Sequence, residues 1–177
     1  MKRSVALLLA LLFIALPALA EQAEFSPFDH RIQYTANGKY IVYVFPDIRF
    51  LLPIEWENAI TVEQSDSGAA FYQTASLERY RAEGVPGGGF LFELCVAEDE
   101  SYLSLPAFVY LGFSENSGQN FYLRLPSDYP AYPEDDIRAE YDRMIGEMDL
   151  VVEKASIRKS ILFYTEDLEI EDGNGLA

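Results

Sequence analysis

Residues suited to chemistry are few in this chain: one cysteine, Cys95, one histidine, His30, and one tryptophan, Trp56, set among 29 acidic and 13 basic residues. Nucleophilic catalysis needs a thiol or hydroxyl activated by a base. A Cys95 and His30 pair would therefore form only if the segment around His30 folded back onto the strand that carries Cys95. A lone cysteine in the apolar run FLFELCVA is more commonly a small buried hydrophobe. No G-x-S-x-G stands in the chain to suggest a hydrolase elbow.

Metal chemistry has little to draw on. One Cys and one His make no zinc site without several carboxylates, and the acids show no EF-hand spacing. Asp128, Glu134, Asp135 and Asp136 form an acidic group able to hold calcium weakly, yet a helix N-terminus accounts for three of the four. No cofactor is expected.

Two aromatic groupings bear on ligands. Glu55 and Glu57 flank Trp56, and carboxylates beside a ring suit glycoside hydrolysis. Residues two apart on a strand share a face, however, and two exposed acids at a strand end are the commoner arrangement. Tyr129 and Tyr132 lie in SDYPAYPED, where two prolines restrict the backbone and present amphipathic rings. Rigid Tyr side chains lose little entropy on binding, so Tyr129, Tyr132 and Trp56 are the candidate partner contacts. The commoner arrangement for loop aromatics in a compact domain is a lid in which the two tyrosines cover a sheet edge and pack on the helix.

The elements that must carry these residues are mostly strands. From Tyr40 the pattern has period two. Phe50, Leu52, Ile54 and Trp56 alternate with Arg49, Leu51, Pro53 and Glu55, and Pro53 ends the strand or places it at an edge. Ile60 and Val62 lead through the turn residues Ser65–Gly68 to Ala69–Gln73, which predicts a hairpin. Ala75–Glu83 has helical composition ending at Gly84, and Val85–Gly89 reads as a flexible link. Phe90, Phe92, Leu94 and Val96 then fall on one face of a strand whose other face holds Leu91, Glu93, Cys95 and Ala97, so the strand is expected to be central. Ala107–Phe113 and Phe121–Leu125 around Ser114–Gly118 predict a second hairpin.

The period then changes. Ile137, Tyr141, Met144, Ile145, Met148, Val151, Val152 and Ala155 trace one apolar stripe on a long C-terminal helix. Pro133 and the acids Glu134–Asp136 mark its start, and Gly146 is a weak point within it.

Composition bounds the setting. Half the residues are hydrophobic and 14% aromatic, which favours a folded core over disorder. Lys2 and Arg3, the apolar run Val5–Leu16 and Pro17–Ala20 follow the order of a cleavable secretory signal peptide, too short to span a bilayer. With no cysteine at the junction, lipid attachment is not expected there, and the product is read as secreted or periplasmic. The division is 1–20 signal peptide, 21–37 a partly ordered segment, 38–160 a single α/β domain, and 161–177 an acidic tail with one strand at Ile161–Tyr164 before disorder. A net charge of −16 makes nucleic acid and anionic lipid poor partners, and no membrane span is expected after the signal.

The segments FLLPIEW, FYQTAS, GGGFLFEL, YLGFSENSGQNFYLRLP and PEDDIRAEYDRMIGEM, in that order, resemble small secreted bacterial proteins related in fold to the PsbP and Mog1 group. The resemblance spans roughly residues 38–158. It implies an α+β fold, a twisted and largely antiparallel sheet flanked by helices in an α/β/α sandwich. It also implies a binding or assembly module, since photosystem accessory proteins and a small-GTPase-binding protein belong to that group. No residue-level motif of the group occurs, so no site carries over. The expected function is a secreted, non-enzymatic module binding a protein or other extracytoplasmic ligand. The alternative is an extracytoplasmic hydrolase of glycans or cell-wall material using carboxylates near Trp56.

Overall fold

Two antiparallel sheets face each other across an aromatic core. A computed structural model describes residues 26–65 and 67–157. The signal peptide, the start of the 21–37 segment, and the Ile161–Tyr164 strand with its tail lie outside the described residues.

The first sheet runs in the order β1 (Arg31–Tyr34), β2 (Tyr40–Val44), β3 (Ile48–Pro53) and β9 (Ser156–Ile157). The second runs β4 (Ile60–Ser65), β5 (Gly68–Gln73), β6 (Phe90–Ala97), β8 (Gln119–Arg124) and β7 (Phe108–Ser114). Both expected hairpins are present as β4–β5 and β7–β8, and β6 is central as its two-sided apolar pattern requires.

A single sheet flanked by helices was expected, and two sheets are found. Pro53 is the physical reason. It is the last residue of β3, after which the chain winds into a 3-10 turn at Ile54–Trp56 and enters β4 in a different sheet. Ile54 and Trp56 therefore leave the strand to which their alternation assigned them.

Register sorts the side chains. Ile41 pairs with Leu52 and Tyr43 with Phe50, and these face inward. Val42 and Leu51, also paired, form a small separate cluster on the opposite face. Tyr43 meets Phe71 edge-on at 5.2 Å, and Phe50 approaches Phe92 at 6.2 Å, so the sheets contact each other through rings. Burying one such ring contributes about 2–3 kcal/mol, and the core holds Phe45, Phe50, Phe71, Phe92 and Phe121 together. The described part of segment 21–37 joins this framework: β1 pairs with β2, and Phe28 is fully buried.

Among the described residues the helices are α1 (Thr74–Ala82), α2 (Asp135–Gly146) and α3 (Met148–Glu153). The long C-terminal helix is corrected to two short ones. Gly146 ends the first, and Glu147 links them while its carboxylate accepts from Trp56 Nε1 at 2.6 Å and from Arg143. The apolar stripe survives the break, because Tyr141, Met144 and Val151 all reach the core. Beyond α3, β9 pairs with β3 and sets Ile157 over Gly112 of β7, which closes one side of the sandwich. Among the described residues no helix is long and apolar enough to cross a membrane.

Candidate functional site

The proline loop between β8 and α2 is fixed at both its backbone and its rings. Gly89 N–H donates to the Pro130 carbonyl at 2.7 Å, and Tyr132 N–H donates to Ser76 Oγ at 2.9 Å. Tyr80 hydroxyl donates to the Ala131 carbonyl at 3.1 Å. Tyr129 hydroxyl donates to Asp142 Oδ1, and Tyr132 hydroxyl to Glu83 Oε1, each at 2.6 Å. Tyr129 meets Tyr141 edge-on at 5.5 Å, as Tyr132 meets Tyr80 at 5.1 Å.

Beneath the loop lies a buried polar network. Gln73 is 0% exposed; its amide nitrogen donates to the Ile137 carbonyl (2.8 Å) and Glu140 Oε2 (2.7 Å), and its oxygen accepts from Ser76 (2.5 Å). One side chain at the end of β5 thus ties α1 to α2, and Ser76 carries the link on to the loop by accepting from Tyr132 N–H. Gly89 permits the close approach. Its φ of +75° favours glycine, and a Cβ there would stand 2.7 Å from the Gln73 carbonyl oxygen. A Cβ on Gly88 would meet the Tyr80 ring in the same way.

Between the glycine link and the proline loop opens a groove of about 400 Å³, lined by Tyr72, Tyr80, Phe90, Arg124, Asp128 and Tyr129 together with Pro86, Pro126 and Pro130. Phe90 reaches it through a β-bulge. Phe71 pairs with Phe92, but Tyr72 pairs with Phe90, so Leu91 is the extra residue and Phe90 turns to the face opposite Phe92. Strict alternation had placed Phe90 with Phe92, and the bulge corrects that. Phe90 then meets Tyr72 edge-on at 5.7 Å, and the Arg124 guanidinium sits 5.2 Å over its ring. Arg124 also pairs with Glu93 Oε2 at 2.6 Å.

Three phenols, Tyr72, Tyr129 and Tyr132, are held in their protonated form. Burial raises Tyr72, burial followed by Asp142 raises Tyr129, and the hydrogen bond to Glu83 raises Tyr132. They offer neutral rings.

The three proposed contact residues part company. Tyr129 is 55% exposed within the groove, and Tyr132 is half-buried between Glu83 and Tyr80. Trp56 is 0% exposed, so its ring offers no surface to a partner or a sugar. Glu55 and Glu57 border a second, open hollow of about 500 Å³ with Glu78 and Glu140, and Glu57 accepts from Tyr34 hydroxyl at 2.5 Å.

Cys95 and His30 are separated by the fold. His30 packs 5.3 Å from Tyr43 and 5.2 Å from Phe45, with Gln64 Nε2 at 2.6 Å from its Nδ1. Cys95 is paired across strands with Tyr122, and burial and Glu93 push its thiol up to about 12. Such a thiol is no nucleophile near neutrality. Asp128, Glu134, Asp135 and Asp136 do not converge: among the described residues no group of three or more His, Cys, Asp or Glu is placed to share a metal ion.

Sequence reasoning found Tyr129 but missed Tyr72, Tyr80, Phe90 and Arg124. The triple glycine before β6 was the available signal, because glycine at a strand edge often marks close backbone approach. Comparison with protein-family models, curated proteins and solved structures finds no match to this chain.

Proposed function

We propose that this chain is an extracytoplasmic, non-enzymatic binding module whose ligand occupies the groove between the glycine link and the proline loop. The observation that carries this reading is the way the groove is built: three hydrogen bonds, one from the Gly89 backbone and two with the side chains of Tyr80 and Ser76, hold the loop's backbone, while the Tyr129 ring is left open to solvent. A rigid wall with an exposed aromatic face suits binding, since little freedom remains to be lost. The signal-like N-terminus supports an extracytoplasmic location, and the resemblance to the PsbP and Mog1 group supports a binding or assembly role.

The test is made in the source cells with a tagged chain. Export is read by fractionation and by the N-terminal residue of the product, expected at Glu21. Partner capture by crosslinking is then compared between wild type and Tyr129→Ala. Loss of a captured partner without a change in melting temperature supports the reading. Retention of the leader inside the cell, capture indifferent to Tyr129, or release of new reducing ends from cell-wall glycans would overturn it, the last in favour of a hydrolase centred on Glu55 and Glu57.

A further inference from the structure

We infer that the groove takes a proline-containing, positively charged peptide segment in an extended polyproline II conformation, an inference that rests on the groove being the binding site. Three observations select this ligand. Two of the three phenols that wall the groove have their hydroxyls already engaged, Tyr80 donating to Ala131 and Tyr129 to Asp142, and Phe90 has none to offer. A sugar chain, rich in hydroxyls, needs many free donors and acceptors beside the rings. A pyrrolidine ring needs none, packs on aromatic faces and arrives with its backbone angle already set.

Charge supplies the second selection. Arg124 is the cation in the lining, and Glu93 neutralises it at 2.6 Å. Asp128 makes no hydrogen bond or ion pair among the described residues and is exposed. Asp142, which accepts from the Tyr129 phenol, adds a second carboxylate beside the same ring, and Arg138, whose charge also reaches that phenol, offsets one of the two. The groove therefore presents net negative charge along its proline loop, complementary to Lys or Arg in the ligand.

The third observation excludes a small cation as the whole ligand. The Phe90 face, where an ammonium group would sit, already holds the Arg124 guanidinium at 5.2 Å. What stays open is the Tyr129 side, with Pro126 and Pro130 beside it.

Fluorescence anisotropy of the purified protein with a labelled peptide of proline pairs separated by single arginines tests the inference. Binding should weaken about tenfold in Tyr129→Ala, survive in Tyr129→Phe, and weaken about two- to fivefold in Asp128→Asn. It should also fall with added salt and be lost when alanines replace the prolines. Circular dichroism melting of each variant shows that the fold is intact, and Asp128→Asn keeps the test sharp even if Tyr129→Ala melts early. Equal binding of the alanine peptide, or no binding up to millimolar protein, overturns the inference, as does a neutral chitin oligosaccharide that binds in a Tyr129-dependent way. If the native partner is still lost from Tyr129→Ala while the proline peptide fails, the binding-module reading stands and only this ligand class falls. If neither responds to Tyr129, both fall together.

Discussion

Replacing Gln73 with Leu should cost the domain about 2–4 kcal/mol, because the side chain is a buried junction and not a surface amide. Its amide nitrogen serves the Ile137 carbonyl and the Glu140 carboxylate, and its oxygen receives the Ser76 hydroxyl, all without solvent contact at Gln73. Leucine fills similar space and satisfies none of them. A buried polar group left without a partner costs about 1–3 kcal/mol. Glu140 is only partly buried and recovers water, and Ile137 keeps its helical bond, so the largest loss falls on Ser76, which also receives Tyr132 N–H. For a domain of this size each kcal/mol moves the melting temperature by about 3–4 °C, which gives a fall of roughly 10 °C by calorimetry. A Gln73→Leu protein melting within about 2 °C of wild type would refute the view that this network holds the loop.

A second substitution at the same place tests the electrostatics. Gln73→Glu sets a buried carboxylate against Glu140, and burial and the like charge both raise its folded-state pKa above the unfolded value of about 4.3. Stability should then be closest to wild type in acid and decline as pH rises through the folded-state pKa. A variant whose deficit is the same at pH 4 and pH 8 would show that the two groups do not interact.

Other expectations follow from single contacts. Gly112→Ala combines a φ of +140° with a Cβ 2.9 Å from Ile157 Cδ1, so it should destabilise by about 1–3 kcal/mol in denaturant melts; Ile157→Ala in the same chain should relieve only part of this. Trp56→Phe removes the donor to Glu147 and should cost about 1.5–3 kcal/mol, while wild-type Trp56, fully buried, should resist quenching by acrylamide. Cys95 and Tyr122 are both pushed up to about 12, so stability is full below the unfolded values of 9.0 and 10.0 and should be lost as pH climbs from about 9 towards 12. Thermal melts across that window should show a shallower decline in Cys95→Ala, and iodoacetamide should label Cys95 slowly near neutrality unless denaturant is present.

Strand identity was legible because it depends on local alternation. The β4–β5 and β7–β8 hairpins and the central β6 all follow from period two and turn residues. What alternation does not encode is which sheet a strand joins. Pro53 was read as ending the strand or placing it at an edge, but nothing local to Ile54, Glu55 and Trp56 distinguishes a strand that continues from a 3-10 turn that delivers the chain into another sheet. The helix break is a similar case: the stripe from Ile137 to Val151 keeps its period across Gly146, since both short helices face the same core. The pattern reports burial, and burial is indifferent to the break.

The groove was less legible than the fold, for a physical reason that one residue illustrates. Phe90 belongs by sequence spacing to the buried row of Phe92 and Leu94, and only the extra residue Leu91 turns it outward beside Tyr72. Bulges arise from pairing with a neighbouring strand, so their effect on facing is set by β5 as much as by β6. Tyr72 and Arg124 likewise join the groove through cross-strand neighbours, with Arg124 opposite Glu93 and above Phe90. Tyr129 was found because its constraint is local, two prolines around an exposed ring. A groove assembled from β5, β6, β8 and a loop has no counterpart in linear spacing, and its one sequence trace is the run of glycines that lets these backbones meet.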